Sequence, residues 1–261
     1  MIRISLLDAE GKELAFAEDP EEASLCAERE YEAGDRYRIT GANHLWVRMD
    51  ISLPDGEVYL PDGTMEWPVP AGEHRLAYSP AAFIGTRHVV TARRMSPEET
   101  ERIRVISRNP SDLRGETDFY PHATANVETR NESCFAARNV IDGMLTNRGH
   151  GEWPWQSWGI GIREDAALTV DFGRKIVTDR IAVVLRADFP HDAWWKHATL
   201  LLSDGSEIGI DLEKTERRQY ISLTEKHTIS SFTLTGLVKA DDPSPFPSLT
   251  QIEVYGREAG E

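Results

Sequence analysis

The stretch ALTVDFG, residues 167–173, decides the fold of the second half of the chain. Leu168, Val170 and Phe172 alternate with polar residues, which is the period of a strand with one buried face. An Asp-Gly pair at 204–205 lies between two further runs of this kind and predicts a tight hairpin turn. Strands at this spacing, without long helical patterns between them, predict a β-sandwich. Other runs of the series are DRIAVVLRADF (179–189), QYISL (219–223), SSFTLTGL (230–237) and TQIEVYG (250–256).

The first hundred residues carry similar runs, separated by turn sequences such as PDG and PAGE. One short helix is predicted in MSPEETERI, where Ser96 caps the helix, Pro97 takes the first helical position and Glu99 completes a capping box. The polar, breaker-rich segment after it marks a boundary. We therefore predict an all-β chain of two tandem, jelly-roll-like β-sandwiches: residues 1–106, a linker over 107–117, and residues 118–261.

The charge balance limits the partners that the chain can have. There are 29 basic and 44 acidic residues, a net charge of −15, and no run rich in Lys or Arg. Nucleic acid and anionic membranes both require a basic surface, so neither is expected as a partner. Two cysteines make a disulfide framework improbable. The charged first residues do not resemble a signal peptide, so we expect a cytoplasmic protein; its oligomeric state stays open.

From about residue 118 the chain resembles the discoidin-like, or coagulation factor 5/8 type C, sandwich. Galactose-binding-domain-like modules and family 32 carbohydrate-binding modules share this fold. The resemblance implies ligand-binding loops gathered at one end of the sandwich, on a scaffold that binds sugars, lipids or proteins. The first 110 residues show no such resemblance. The expectation of a saccharide partner depends on the aromatic loops described next. The matching pieces, in the family's order, are HATANVET (122–129), AARNVIDG (136–143), WPWQSWG (153–159), LTVDFGRK (168–175) and LTQIEVYG (249–256).

Five of the seven tryptophans fall within 43 residues, between Trp153 and Trp195. A pyranose stacks its CH face on such a ring while its hydroxyls bond Asp, Glu or His. Adjacent Trp194 and Trp195 point to opposite faces if extended, so we expect one of them in the core. A proline-rich loop, KADDPSPFPSL (239–249), adds Phe246 on a restricted backbone. The candidate ligand-binding residues are His150, Glu152, Trp153, Trp155, Asp188, His191, Asp192, Trp194, Trp195, Asp241 and Asp242.

The resemblance also implies a structural Ca²⁺ ion. Carried over to this chain, Asp142 and Glu253 would supply side-chain oxygens, and Asn139 and Met144 would supply carbonyl oxygens. Asn147 or Thr146 would complete the shell of hard oxygen donors that Ca²⁺ prefers. Met144 departs from the family pattern, which commonly has Asn at this position.

Three functions are compatible with these residues. The first is a carbohydrate-binding protein without catalysis, in which tryptophan rings stack the sugar and Asp and His side chains fix its hydroxyls. The second is a carbohydrate-active enzyme, a glycoside hydrolase or lyase, that uses the same acidic and histidine cluster as acid and base. The third is a subunit of a protein assembly, in which the aromatic loops form a contact surface.

Overall fold

A computed structural model of the chain describes residues 1–187 and 193–260. Strands dominate the described residues, which confirms the all-β prediction. The strands are β1 (Ile2–Leu7), β2 (Glu13–Asp19), β3 (Glu22–Ala27), β4 (Arg36–Thr40), β5 (His44–Arg48), β6 (Gly56–Tyr59), β7 (Thr64–Pro68), β8 (His88–Arg94), β9 (Arg104–Val105), β10 (His122–Ala125), β11 (Trp158–Gly159), β12 (Leu168–Leu185), β13 (Trp195–Leu202), β14 (Glu207–Asp211), β15 (Gln219–Lys239) and β16 (Ser248–Glu258). The helical segments are α1 (Pro97–Glu101) and the 3₁₀ turns Gly72–Ala77, Thr129–Asn131, Ser133–Phe135 and Ala137–Ile141.

The first sandwich consists of two antiparallel sheets, with strand orders β2-β1-β4-β7 and β3-β8-β5-β6. Strand β5 shows why these segments are strands: Leu45 and Val47 are buried, while the residues between and beside them are partly exposed. The inner faces of the two sheets enclose a core that includes Ile4, Ile39 and Trp67. This packing of alternating apolar faces is the energetic basis of a sandwich.

The second sandwich is built from one eight-stranded antiparallel sheet, in the order β11-β16-β12-β15-β13-β14, with β9 joined to β16 and β10 to β12. The long strands β12 and β15 lose their regular register after Asp171 and again after Thr178. The inward side chains of this sheet belong to a single buried cluster, which also includes residues of the Ala137–Ile141 turn. Leu168, Val170 and Phe172, the alternating residues of the opening stretch, all lie in it.

Two local predictions are confirmed. At the start of α1, the Glu99 amide donates to Ser96 Oγ at 3.3 Å and the Ser96 amide donates to Glu99 Oε2 at 2.9 Å, which closes the capping box. The hairpin between β13 and β14 turns at Gly205, whose φ of 92° only glycine adopts without strain. Among the described residues, no helix is long and apolar enough to cross a bilayer.

The segment expected to be a linker, 107–117, does not behave as an exposed connector. Arg104 and Val105 already pair with β16, ahead of the predicted boundary. Ser111 and Asp112 are buried: the Ser111 carbonyl accepts from Trp67 Nε1 at 2.8 Å, and the Asp112 carbonyl accepts from the Tyr78 hydroxyl at 3.0 Å. This part of the segment can be buried because its backbone carbonyls are hydrogen-bonded to side chains of the first sandwich. The division into two domains stays a prediction.

An ion-pair cluster joins the two sandwiches. Glu57 of β6 accepts from Arg104 and Arg174, at 2.5 and 2.8 Å, and Glu258 of β16 accepts from the same two guanidinium groups at 2.9 Å. All four side chains are largely buried. Because each carboxylate contacts two cations, removal of one partner leaves a buried charge without full compensation.

Candidate functional site

An open cavity of about 970 Å³ lies at one end of the second sandwich. Strand β12 ends at this place and β16 begins there, because the two are antiparallel neighbours with Leu185 opposite Leu249. The loops that precede β16 and follow β14 therefore meet the turns that precede β11. The described residues that line the cavity are Thr129, Arg130, Phe135, His150, Gly159, Ile160, Gly161, Arg186, Ala187, Lys214, Asp242, Pro243, Ser244, Pro245, Phe246, Pro247 and Ser248.

A lysine and an aspartate form an ion pair on the wall of this cavity. Lys214 Nζ donates to Asp242 Oδ2 at 3.0 Å, and the Ser244 amide donates to Asp242 Oδ1 at 3.0 Å. The hydrogen bond from Lys214, followed by that from the Ser244 backbone, lowers the pKa of Asp242 below its usual value. The carboxylate is therefore ionised at neutral pH and held in a fixed orientation, ready to accept from hydroxyl groups.

Apolar surface lies beside this ion pair. Phe246 is 54% exposed and stands between Pro245 and Pro247, whose fixed φ angles restrict the loop. Phe135 also lines the cavity, with the Arg130 guanidinium 5.2 Å from its ring centroid. The cavity thus combines an exposed aromatic face with hydrogen-bonding groups, the combination that saccharides require.

Of the predicted ligand-binding residues, His150 and Asp242 line this cavity. Asp241 is exposed next to Asp242, but the described wall does not include it. Asp188, His191 and Asp192 lie outside the described residues. The loop that holds His150 and the loop that holds Asp242 therefore line the same cavity. Few of the other predicted ligand-binding residues on these loops belong to its described wall.

The predicted tryptophan platforms do not line the cavity. Trp195 is 1% exposed and packs in the core, its ring centroid 6.2 Å from that of Trp158, and Trp194 packs partly buried against the same core. Alternation along an extended chain explains this difference within the pair. Trp155 is exposed, with its ring against Gly149.

Trp153 and Glu152 lie at a different place, on the contact between the two sandwiches. The Trp153 amide donates to the Leu76 carbonyl at 3.1 Å. Together with Leu76 and Tyr78 they line a small cavity of about 170 Å³. Their position is a contact with the first sandwich, away from the cavity that Asp242 and Phe246 line.

The residues expected to hold Ca²⁺ surround Asp142, which is buried. Its Oδ1 accepts from the Met144 amide at 2.7 Å and from Gln251 Nε2 at 2.8 Å, and its Oδ2 accepts from Gln156 Nε2 at 2.8 Å. The Arg138 guanidinium lies 3.9 Å from Oδ2. Burial raises the pKa of Asp142, while Arg138 and these donors act in the opposite direction.

The other proposed ligands have different partners. Glu253 is in a bidentate ion pair with Arg218, at 2.8 and 3.0 Å, and also accepts from the Tyr255 hydroxyl. Asn147 Nδ2 donates to the carbonyls of Leu185 and Glu216. Asn139 Nδ2 donates to the carbonyls of Ser133 and Ser157.

This donor set does not fit Ca²⁺. The groups that face the Asp142 carboxylate are amide N–H groups and a guanidinium, whereas Ca²⁺ requires several oxygens directed at one point. Gln156 Oε1 is buried without a hydrogen-bond partner in the described chain, yet the nitrogen of that amide is the atom that faces Asp142. The structural Ca²⁺ stays a prediction that these side chains do not support.

Several cavity residues carried no clear signal in the sequence. Arg130 and Phe135 lie in the connection between β10 and β11, Arg186 follows β12, and Lys214 follows β14. An isolated charge in a loop usually indicates only solvent exposure. Phe246 did carry a signal, because it stands between prolines in a loop that also holds two aspartates.

No family model matches the chain, and no curated protein matches it. Solved structures similar to it include chitosan-binding module 1 from a chitosanase/glucanase of Paenibacillus sp. IK-5, at 18% identity over 59% of this chain and 99% of that one (TM-score 0.42). Others are the family 32 carbohydrate-binding module of C. perfringens NanJ in complex with galactose (17%, 51% and 91%, TM-score 0.39) and the lectin domain of lectinolysin complexed with Lewis b antigen (15%, 60% and 98%, TM-score 0.42). Each of these structures shares less than 20% sequence identity with this chain, and each TM-score is below 0.5.

Proposed function

We propose that the chain binds a saccharide in the cavity beside Phe246 and Asp242. The observation that carries the proposal is the placement of a half-exposed aromatic ring next to an oriented carboxylate–ammonium pair in one open cavity. The ring provides a flat apolar face for the CH groups of a pyranose. Asp242 accepts from sugar hydroxyls and Lys214 donates to them, so that neighbouring hydroxyls meet complementary groups.

The loop that carries Asp242 and Phe246 supports the same function. Three prolines between Asp242 and Ser248 limit its conformations before the ligand arrives, which lowers the entropic cost of binding. The cavity volume of about 970 Å³ is at the upper end of small-molecule sites, so it has room for more than one sugar unit.

The experiment is a glycan array with the intact chain, followed by isothermal titration calorimetry on the saccharides that it retains. We expect saturable one-site binding. A folded protein that retains no saccharide on the array and shows no heat of binding would overturn the proposal.

The two alternative functions, a carbohydrate-active enzyme and a subunit of a protein assembly, would give different results in the same experiment. An enzyme would release a shortened or unsaturated product from the retained glycan on incubation, which mass spectrometry detects. An assembly subunit would bind a protein partner through the cavity loops without any saccharide. We expect the glycan to be recovered unchanged.

A further inference from the structure

We infer that the amide of Gln251 takes the position of a structural cation in the corner formed by Asn139, Asp142 and Thr250, so that this corner is stable without metal. Gln251 Nε2 lies 2.6 Å from the Asn139 carbonyl oxygen, 2.8 Å from Asp142 Oδ1 and 2.7 Å from the Thr250 carbonyl oxygen. Three oxygens from three separate positions thus converge on a single atom. That atom is a neutral N–H donor.

The orientation of this amide is fixed from its other side. Gln251 Oε1 accepts from the Gly143 amide at 2.9 Å, so the oxygen faces a donor and the nitrogen faces the three acceptors. Reversal of the amide would direct an oxygen at the three oxygens and would leave the Gly143 N–H without its acceptor. The hydrogen-bond network therefore determines which atom occupies the centre.

The charge balance of the corner also opposes a divalent ion. The Asp142 carboxyl already has a cation as its partner, because Arg138 is 2% exposed and lies 3.9 Å from Oδ2. The guanidinium is held by the carbonyls of Asp112 and Pro110, at 2.7 and 3.0 Å. A divalent ion at the position of Gln251 Nε2 would leave a net charge of about +2 in a buried site, which is costly because a low-dielectric interior solvates charge poorly.

Glu253 does not supply the missing negative charge. Its carboxylate accepts two hydrogen bonds from Arg218, which immediately precedes β15, and one from Tyr255, so its charge is already compensated by Arg218. Gln251 and Glu253 are two positions apart on the same strand and point to the same face, but Gln251 is the one that contacts Asp142. The contact that joins β16 to the turn at Asp142–Gly143 is therefore a side-chain amide.

The test compares thermal unfolding in excess EDTA with thermal unfolding in millimolar CaCl₂. For the wild-type chain we expect the same Tm in both buffers and no bound calcium by elemental analysis. The Gln251→Glu variant places a carboxylate among three oxygens, so we expect its Tm to fall in EDTA and to rise by about 5 °C or more when CaCl₂ is added. Gln219→Glu, at the partly exposed start of β15, is the control with the same chemical change and should show no calcium response.

A wild-type Tm that rises with CaCl₂, together with loss of that rise in Glu253→Gln, would overturn the inference. A Gln251→Glu chain that folds and shows no calcium response would also contradict it, because three oxygens and a new carboxylate should then hold the ion. If Gln251→Glu fails to fold in EDTA, its refolding in CaCl₂ gives the same information. The wild-type comparison tests the inference independently of the variant.

Discussion

Asp241 and Asp242 are neighbours in the chain, yet only Asp242 contributes to the described wall of the cavity, where its carboxylate is held by Lys214 and the Ser244 amide. Asp241 is exposed beside it. The two aspartates therefore have different structural roles, although both lie in the same loop. One is an oriented acceptor inside a cavity, and the other is a solvated surface charge.

The Asp242→Asn variant should bind the saccharide at least about tenfold more weakly, because a charged acceptor and its ion pair with Lys214 are lost. Asp241→Asn, with the same chemical change one residue away, should bind as the wild type does. Titration calorimetry with a saccharide retained on the array measures both. Equal losses in the two variants would show that the effect comes from the net charge of the loop and not from this contact.

Phe246 supplies the exposed ring, and its replacement tests the stacking surface. Phe246→Ala should weaken binding by roughly tenfold, because stacking on an aromatic ring contributes on the order of 1 kcal/mol beyond simple burial. Trp155→Ala removes another exposed aromatic ring that lies against Gly149, outside the described wall, and should leave affinity unchanged. The reverse pattern, with Trp155 essential and Phe246 dispensable, would move the site to the tryptophan loop.

Replacement of Arg174 tests how much the ion-pair cluster between the two sandwiches contributes to the free energy of unfolding. Arg174→Met should lower the free energy of unfolding by about 3 kcal/mol, because Glu57 and Glu258 each lose one of two cations in a buried environment. Arg163→Met removes an exposed pair with Asp165 and should be indistinguishable from wild type. Urea denaturation of both variants gives the comparison. A small effect for Arg174→Met would mean that water or another group compensates the carboxylates.

His122 makes the stability of the fold depend on pH, and the direction of its raised pKa gives the direction of that dependence. Burial alone lowers the pKa of His122, but the hydrogen bond from Nδ1 to Asp112 Oδ1 at 2.7 Å and the charge of Asp112 outweigh it, and the net pKa is raised. A raised pKa in the folded state stabilises the fold below the ordinary histidine value of about 6.5, and this contribution is lost as pH rises through the folded-state pKa.

The stability difference between wild type and His122→Gln should therefore be larger at mildly acidic pH than at alkaline pH. Urea denaturation of both proteins across this range measures it. A difference that stays constant with pH would show that the His122–Asp112 contact contributes as a neutral hydrogen bond only.

The parts of the fold that the sequence predicted are those that depend on a few adjacent residues. The alternation at Leu168, Val170 and Phe172, the capping box at Ser96 and the turn at Gly205 each depend on a few adjacent residues, and all three are present. The segment 107–112, which is buried except at Arg108, was not predictable in this way. Its polar groups are satisfied by Trp67, Tyr78 and Arg138, partners more than twenty residues away in the chain.

The candidate site was predicted less completely for the same reason. Asp242 and His150 were identified from their loops, but Lys214 and Arg186 reach the cavity only because β12 ends, and β15 begins, beside the start of β16. The Ca²⁺ expectation depended on Glu253, whereas the residue in contact with Asp142 is Gln251, two positions earlier on the same strand. Both positions are polar residues on one strand, and the alternation of the strand does not show which of the two side chains reaches Asp142.

The most direct test of the saccharide cavity is NMR titration of the isotope-labelled chain with a saccharide retained on the glycan array. We predict saturable shifts that coincide at the amides of Gly159, Lys214, Asp242, Ser244 and Phe246, which come from three separate segments of the described wall. Shifts confined to the contact between the sandwiches, around Leu76 and Trp153, would contradict the proposed site. The absence of any shift at saturating saccharide would contradict saccharide binding itself.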